Sequence, residues 1–442
     1  MAAGRYAATG HRVRCWKEIV GLLSSYRVLD LTDERGLLAG RMLADLGADV
    51  VQVEPLAGSR ARHAAPLSDR DGQPYSYVWA TVAANKRGLA VDLSRDAGQH
   101  VLRQLASQAD FFVESLGPGA AASLGLGWPE LSEINPALVY ATITAFGQDG
   151  PKSGYAESDL IVWAAGGPLE PNRDGTRPPL RISVPQAFLN ASADAAGGML
   201  LAHHARTRDG RGQLVDVAAQ ACLSLNTLGR VLADPVGDAH PEWAALISPT
   251  ARTDQSGSGT GTSSQLKKWR CQDGLVEFHL AIGQAAGPFT NNFFRWMHAE
   301  GAGYEALLRW DWRILPELVE REEFTEQDMQ EVRAATAAFL AAKTKNEILQ
   351  AAITYKLLCI GVSDTRDLSD SPQLAERDFY VTLGSGRRAQ TMPGRWATTS
   401  IPAFELHRPA PQVGEHSDEV LAEWLGYDGA VREPLHEGRV IA

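Results

Sequence analysis

From Arg27 onward, short apolar runs alternate with stretches whose apolar positions recur at helical spacing. The run RVLDL is dense enough in branched residues to predict a strand buried on both faces. LLAGRMLADLG follows with helical spacing, and Gly47 stands where a left-handed residue would end that helix. ADVVQVEP then predicts a second strand, stopped by Pro55. Strand, helix and strand in so short a stretch make a βαβ unit, and such units build parallel sheets with right-handed crossovers. The rhythm continues with GLAVDLS as strand, AGQHVLRQLASQ as helix, ADFFVESL as strand, GPG as turn and ALVYATITAF as strand. DAAGGMLLAHHAR, Asp194 to Arg206, predicts a further helix, and DGRGQ a turn into the strand LVDVA. The first two hundred residues therefore predict an open α/β sheet flanked by helices.

After about residue 235 the texture changes. ARTDQSGSGTGTSSQ is rich in Gly, Ser and Thr and reads as a loop. WRCQDGLVEFHLAIG predicts a hairpin, DMQEVRAATAAFLAAKT a helix, and DEVLAEWLGY a closing amphipathic helix. A chain of 442 residues exceeds one ordinary core. The pattern predicts an extension over 1–26, a large α/β domain from 27–235 and 346–442, and a small α+β domain inserted over 236–345.

Composition narrows the function. Hydrophobic residues are 44% and charged residues 21%, the mixture of a folded soluble protein. A net charge of −11 repels a phosphate backbone and argues against a nucleic-acid binder, while leaving room for a local basic pocket. Cys15, Cys222, Cys271 and Cys359 are scattered, with no CxxC or Cys/His cluster, which predicts neither a metal ribbon nor a disulfide scaffold. No apolar stretch reaches the length of a membrane span. These features together predict a cytoplasmic, soluble protein.

Familiar catalytic patterns are missing. No GxGxxG follows the first strand, and there is no GxxxxGK[ST], HExxH or GxSxG. His203 and His204 are neighbours on a predicted helix and point to different faces, which disfavours a shared metal. Ser264-Gln-Leu-Lys267 matches SxxK, but its companion motifs are absent. Two glycine-rich places carry alternatives. Gly257–Gly261 is either a linker or a lid over a ligand. Gly117–Gly119 is either a plain turn or a loop at the carboxyl end of a parallel sheet, where α/β proteins bind ligands.

Several segments taken together go further. RVLDLT, AGRMLADLGADVVQVEP, NKRGLAVDLS, LGLGWPELSEINPALVYATITAFGQDGP and DGRGQLVDVA resemble the family III CoA-transferases, the CaiB/BaiF family. CQDGLVEF, SPQLAERDFY and VGEHSDEVLAEWLGY resemble that family's second half in the same order. The resemblance implies a Rossmann-like large domain formed by both chain ends, a smaller inserted domain, and an interlocked dimer. It also implies a reaction in which CoA moves from an acyl-CoA donor to a free carboxylic acid through an enzyme aspartate. No permanently bound cofactor is implied; the coenzyme A thioester is a substrate.

Within that resemblance the active-site positions are altered. Aligning the family's GxGQ turn with Gly210–Gln213 places the nucleophile position at Phe188, which has no nucleophilic atom. Asp194 is the nearest acid, about 9 Å further along a helix at 1.5 Å per residue. The racemase relatives use a His-Asp pair, and the matching stretch here is Ser158-Asp159, without the histidine. Pro55, Ser115 and Thr144 stand where some members carry Arg, Asn and a basic residue. Asp92, Ser115, Leu116 and Gly117 are the positions that the resemblance assigns to the CoA site. The expectation is therefore a CoA-transferase subunit that works with a paralogous partner supplying the aspartate. An autonomous enzyme using Asp194 and a non-catalytic acyl-CoA-binding scaffold are the alternatives.

Overall fold

The computed structural model describes residues 21–70, 73–169, 178–225, 268–301, 305–384, 389–400 and 403–442. The predicted loop at Gly257–Gly261 and the SxxK stretch at Ser264–Lys267 lie outside the described residues. Two compact units form. Among the described residues, one takes in everything up to 225 and everything from Glu376 onward, and the other takes in 268–375.

In the first unit the elements run β1 (Arg27–Leu31), α1 (Leu37–Asp45), β2 (Asp49–Glu54), a β3–β4 hairpin (Leu67–Arg70 and Gln73–Ser76) and α2 (Tyr77–Val82). Then come β5 (Arg87–Ala90), α3 (Asp96–Ala106), β6 (Phe111–Glu114), α4 (Ala120–Ser123), α5 (Trp128–Ile134) and β7 (Val139–Thr144). α6 (Asp159–Gly166), α7 (Ala187–Asp209), β8 (Leu214–Ala218) and α8 (Ala219–Leu225) complete the run. Six strands make one parallel sheet in the order β5-β2-β1-β6-β7-β8.

Because successive side chains of a strand point to opposite faces, each strand feeds two cores. Val28, Val50, Phe111 and Val139 pack with α1 and α7 on one side. Leu29, Val51, Phe112 and Tyr140 pack on the other with α3 and with Val420, Leu421 and Trp424 of the helix Ser417–Leu425. This double burial is why the strands read as continuous apolar runs.

The outer edge of β5 is closed by the end of the chain. Val91 bridges Ile441, the Asp92 N–H donates to the Val440 carbonyl, and the Ala442 N–H donates to the Ala90 carbonyl. The His416 N–H donates to the Gly88 carbonyl. A second clasp lies just before β5. Asn85, at φ 65°, donates to Asp45 and to the Glu405 carbonyl, while its Oδ1 accepts the N–H groups of His407 and Arg408.

The second unit holds an antiparallel sheet in the order β11-β10-β9, with β9 at Lys268–Cys271, β10 at Gly274–Phe278 and β11 at Cys359–Val362. Its core is aromatic, with Trp269, Phe278, Phe293, Trp296, Trp312 and Phe339 buried together. One expected boundary needs correction. The sequence returned the chain to the large domain at 346, but β11 hydrogen-bonds to β10 and the helix Lys345–Tyr355 packs into this aromatic core. The return comes at Glu376. The expected boundary at 235–236 lies outside the described residues. Among the described residues no helix is long and apolar enough to cross a membrane.

Candidate functional site

The sheet changes direction between β1 and β6, since the chain first builds outward through β2 and β5 and then returns to the other side of β1. At such a switch point the loops leaving adjacent strands diverge and open a crevice. A cavity of about 590 Å³ lies there. Its walls are Leu31–Asp33 after β1, Glu54–Leu56 and Gly58–Arg60 after β2, Val91–Ser94 after β5, and Leu116 after β6.

A buried polar network fixes the floor. The Lys86 ammonium is fully buried and donates to Asp30 Oδ2 at 2.7 Å, to the Leu37 carbonyl at 2.8 Å and to Gln52 Oε1 at 2.9 Å, using all three of its protons. The other Asp30 oxygen accepts the Thr32 N–H at 2.9 Å and hydroxyl at 2.6 Å. Gln52 donates to the carbonyls of Asp30 and Thr32. The ends of β1 and β2, the start of α1 and the approach to β5 are thus tied together beneath the Thr32–Asp33 wall. Gly40 is what allows α1 so near: a Cβ there would lie 1.9 Å from Asp30 Oδ2.

The wall acids are each held. Asp33 accepts from Arg35 at 2.7 and 2.8 Å, and exchanges hydrogen bonds with Ser115, whose hydroxyl accepts the Asp33 N–H and donates to its Oδ1. Burial pushes the Asp33 carboxyl up, but Arg35 and Ser115 together hold it below the ordinary range. Glu54 is gripped by Arg62 at 2.6 and 2.7 Å and by the Ser59 N–H. Arg62 in turn lies 4.0 Å over the Trp79 ring. Asp92 accepts from the Ser94 hydroxyl and N–H and from Arg95, which keep its carboxyl low.

Of the four residues assigned to the CoA site, Asp92 and Leu116 line the cavity. Ser115 is fully buried behind the wall, its hydroxyl engaged with Asp33. Gly117 is next to Leu116 but is not among the lining residues; its φ of 105° is the left-handed geometry that glycine accepts most easily. The loop they form is pinned from below. Glu114 accepts the Leu116 N–H, and Gln148 accepts the Gly119 N–H while donating to Thr142. Burial raises the Glu114 carboxyl.

Phe188 sits in the first turn of α7, partly buried against the core. The helix then runs unbroken for 23 residues to Gly210 at φ 72°. Ser192, one turn after Phe188, donates to the Phe188 and Arg35 carbonyls, so this side of α7 faces the Asp33–Arg35 wall. Asp194 is two residues on, roughly 200° around the helix from Ser192. It is exposed and lies beside the Cys222 thiol, which burial, with Asp194, pushes up to about 12. His203 packs against Tyr26 and Phe111 next to Arg206, while His204 is exposed. Asp159 caps the start of α7 by accepting the Ala187 N–H.

Sequence reasoning missed Asp33, Arg35, Arg60 and the Asp30–Gln52–Lys86 network. Asp30 and Gln52 interrupt apolar runs, and that interruption was the available signal.

The model of CoA-transferase family III matches residues 23–417. The chain is 34% identical over 415 residues to "Succinyl-CoA:(R)-benzylsuccinate CoA-transferase subunit BbsE" of Thauera aromatica, spanning 91% of this chain and 94% of that protein. It is 27% identical to a formyl-CoA:oxalate CoA-transferase of Streptomyces avermitilis, spanning 91% and 95%. Among solved structures, a CaiB/BaiF family protein from Brucella suis shares the fold at a TM-score of 0.72 and 22% identity, over 91% of this chain and 99% of that one.

Proposed function

The chain belongs to CoA-transferase family III, and from that premise we propose that it is the subunit of a heteromeric CoA-transferase that does not carry the nucleophile. Phe188 carries this reading. The unbroken α7 leaves no bulge between Phe188 and the Gly210–Gln213 turn through which a carboxylate could be moved into the nucleophile's place. Asp194, turned toward Cys222 and away from the Asp33–Arg35 wall, is poorly placed to substitute. The most similar relative described above is itself named as a subunit.

In this reading the cavity receives a CoA thioester, with Asp92 and Leu116 at its walls and Ser115 and Gly117 shaping the loop behind them. This chain binds and orients; a paralogous partner, interlocked with it, brings the aspartate. That carboxylate attacks the donor thioester and expels the CoA thiolate, leaving a mixed anhydride. The thiolate returns to the aspartyl carbonyl and releases the donor acid. The acceptor carboxylate then attacks the aspartyl thioester, and the CoA thiolate recaptures the resulting acyl group. No resident cofactor enters these steps, and we place the enzyme in the cytoplasm.

Native mass spectrometry of the complex purified from its own host through a tag on this chain tests the assignment. A second chain of similar size in equal amount, with Asp at the position of Phe188, is expected. The isolated chain should not transfer CoA, and Asp194→Ala should leave an aspartyl-CoA adduct on the partner. A pure homodimer that turns over would overturn the proposal.

A further inference from the structure

Gly88 and Ala90 turn their backbone groups to the outer edge of β5, and these groups are met in two different ways. Their carbonyls accept backbone N–H groups, from His416 at 2.9 Å and from Ala442 at 3.2 Å. Their N–H groups donate to side chains instead, Gly88 to His416 Nδ1 at 3.1 Å and Ala90 to Ser417 Oγ at 3.3 Å. A hydroxyl oxygen accepts at any ordinary pH, whereas an imidazole nitrogen accepts only while it carries no proton. Because a backbone N–H can only donate, the Gly88 bond fixes His416 as the neutral tautomer protonated at Nε2. The ring stands at a junction. The His416 carbonyl accepts the Val420 N–H in the first turn of the helix Ser417–Leu425. A Cβ at Gly88 would lie 2.8 Å from the Gln412 carbonyl oxygen, and one at Gly414 would lie 2.4 Å from that of Ala442. The strand, the turn before the helix and the end of the chain therefore press together around this histidine. Beyond β5 the same strand runs into Val91–Ser94, a wall of the cavity, where the Asp92 N–H is held by Val440.

Charged groups face the half-buried ring from each neighbouring element: Glu415 beside it, Glu419 on the helix, Arg87 on β5 and Arg408 on the segment before. Arg87 is itself engaged by Asp49, Glu419 and Glu423. Burial, helped by Arg408 and Arg87, outweighs the two glutamates and holds the imidazole below the ordinary histidine range. The neutral ring thus contributes stability that is complete above the unfolded value of about 6.5 and is lost as pH falls through the lower folded one. We propose that His416 is a proton-sensitive latch on the outer edge of β5: a proton taken from solvent at Nδ1 turns the acceptor of the Gly88 N–H into a second donor, and the end of the chain loosens from the strand.

Amide hydrogen exchange of the purified full-length protein, read by mass spectrometry and divided by the intrinsic rates, tests the latch between about pH 8 and about pH 5. Loss of one hydrogen bond predicts that protection of the segments 87–91 and 438–442 falls roughly tenfold at the acid end in wild type, while β1 keeps its protection. His416→Asn retains an acceptor oxygen that does not titrate, so protection of both segments should stay constant across the range. His416→Ala should lower it at both ends. Constant protection of 87–91 in wild type, an equal fall in His416→Asn, or an equal fall in β1 would overturn the proposal. Should His416→Asn fail to fold, the wild-type profile, with β1 as its internal reference, decides alone.

Discussion

Removing the Lys86 ammonium should be far more damaging than its chemistry in a sequence suggests. Lys86 and Asp30 are both fully buried and 2.7 Å apart, and Lys86→Met keeps the side chain's bulk while deleting the charge. Three acceptors then lose their donor: Asp30 Oδ2, Gln52 Oε1 and the Leu37 carbonyl. Breaking one side of a buried ion pair costs about 3–5 kcal/mol, much of it the stranded charge. That is a large share of the roughly 5–15 kcal/mol by which domains are stable. Urea unfolding followed by tryptophan fluorescence would show a midpoint shift at nearly constant slope. Asp30→Asn combined with Lys86→Met should recover at least about 1 kcal/mol over Lys86→Met alone by removing the stranded charge. A Lys86→Met protein within about 1 kcal/mol of wild type would refute the reasoning.

Gly40→Ala places a Cβ 1.9 Å from the side-chain oxygen Asp30 Oδ2, so either the carboxylate leaves its bond to Lys86 or α1 shifts, and the change should cost about 1–3 kcal/mol in the same assay. The Asp33 carboxyl is held below its ordinary pKa, so it contributes stability that is complete above the unfolded value and is lost as pH falls through the folded one. Asp33→Asn should therefore flatten the acid limb of the stability profile below about pH 4, as read by thermal unfolding across pH. An unchanged acid limb would show that Asp33 takes no part in it.

The strands of the parallel sheet were legible because burial on both faces leaves nothing but apolar residues in most positions. Their order was not, since β1 pairs with both β2 and β6 and no local pattern records the second pairing. The extent of the small unit was misjudged for the same reason: β11 completes a sheet with β10 some eighty residues earlier in the chain. At the site, Asp92, Ser115, Leu116, Gly117 and Phe188 were picked out by the family resemblance alone; Asp92 and Leu116 line the cavity, while Ser115 and Gly117 are not among its lining residues. Lys86 and Arg60 were passed over for opposite causes. One is a charge whose partners lie on three other segments, and the other sits in a loop where an arginine attracts no notice.

The closure of β5 by the end of the chain bears on how the protein is made. About 350 residues separate Ala90 from Ile441, and at roughly 5–20 residues per second a ribosome needs some tens of seconds to bridge them. Throughout that interval the growing polypeptide carries a sheet edge whose backbone groups await Gly88 and Ala90's partners at His416 and Ala442. An open edge is a template for pairing with another chain. Until residues 416 and 440–442 are in place, the Gly88 and Ala90 carbonyls lack the partners that cover this edge in the folded protein.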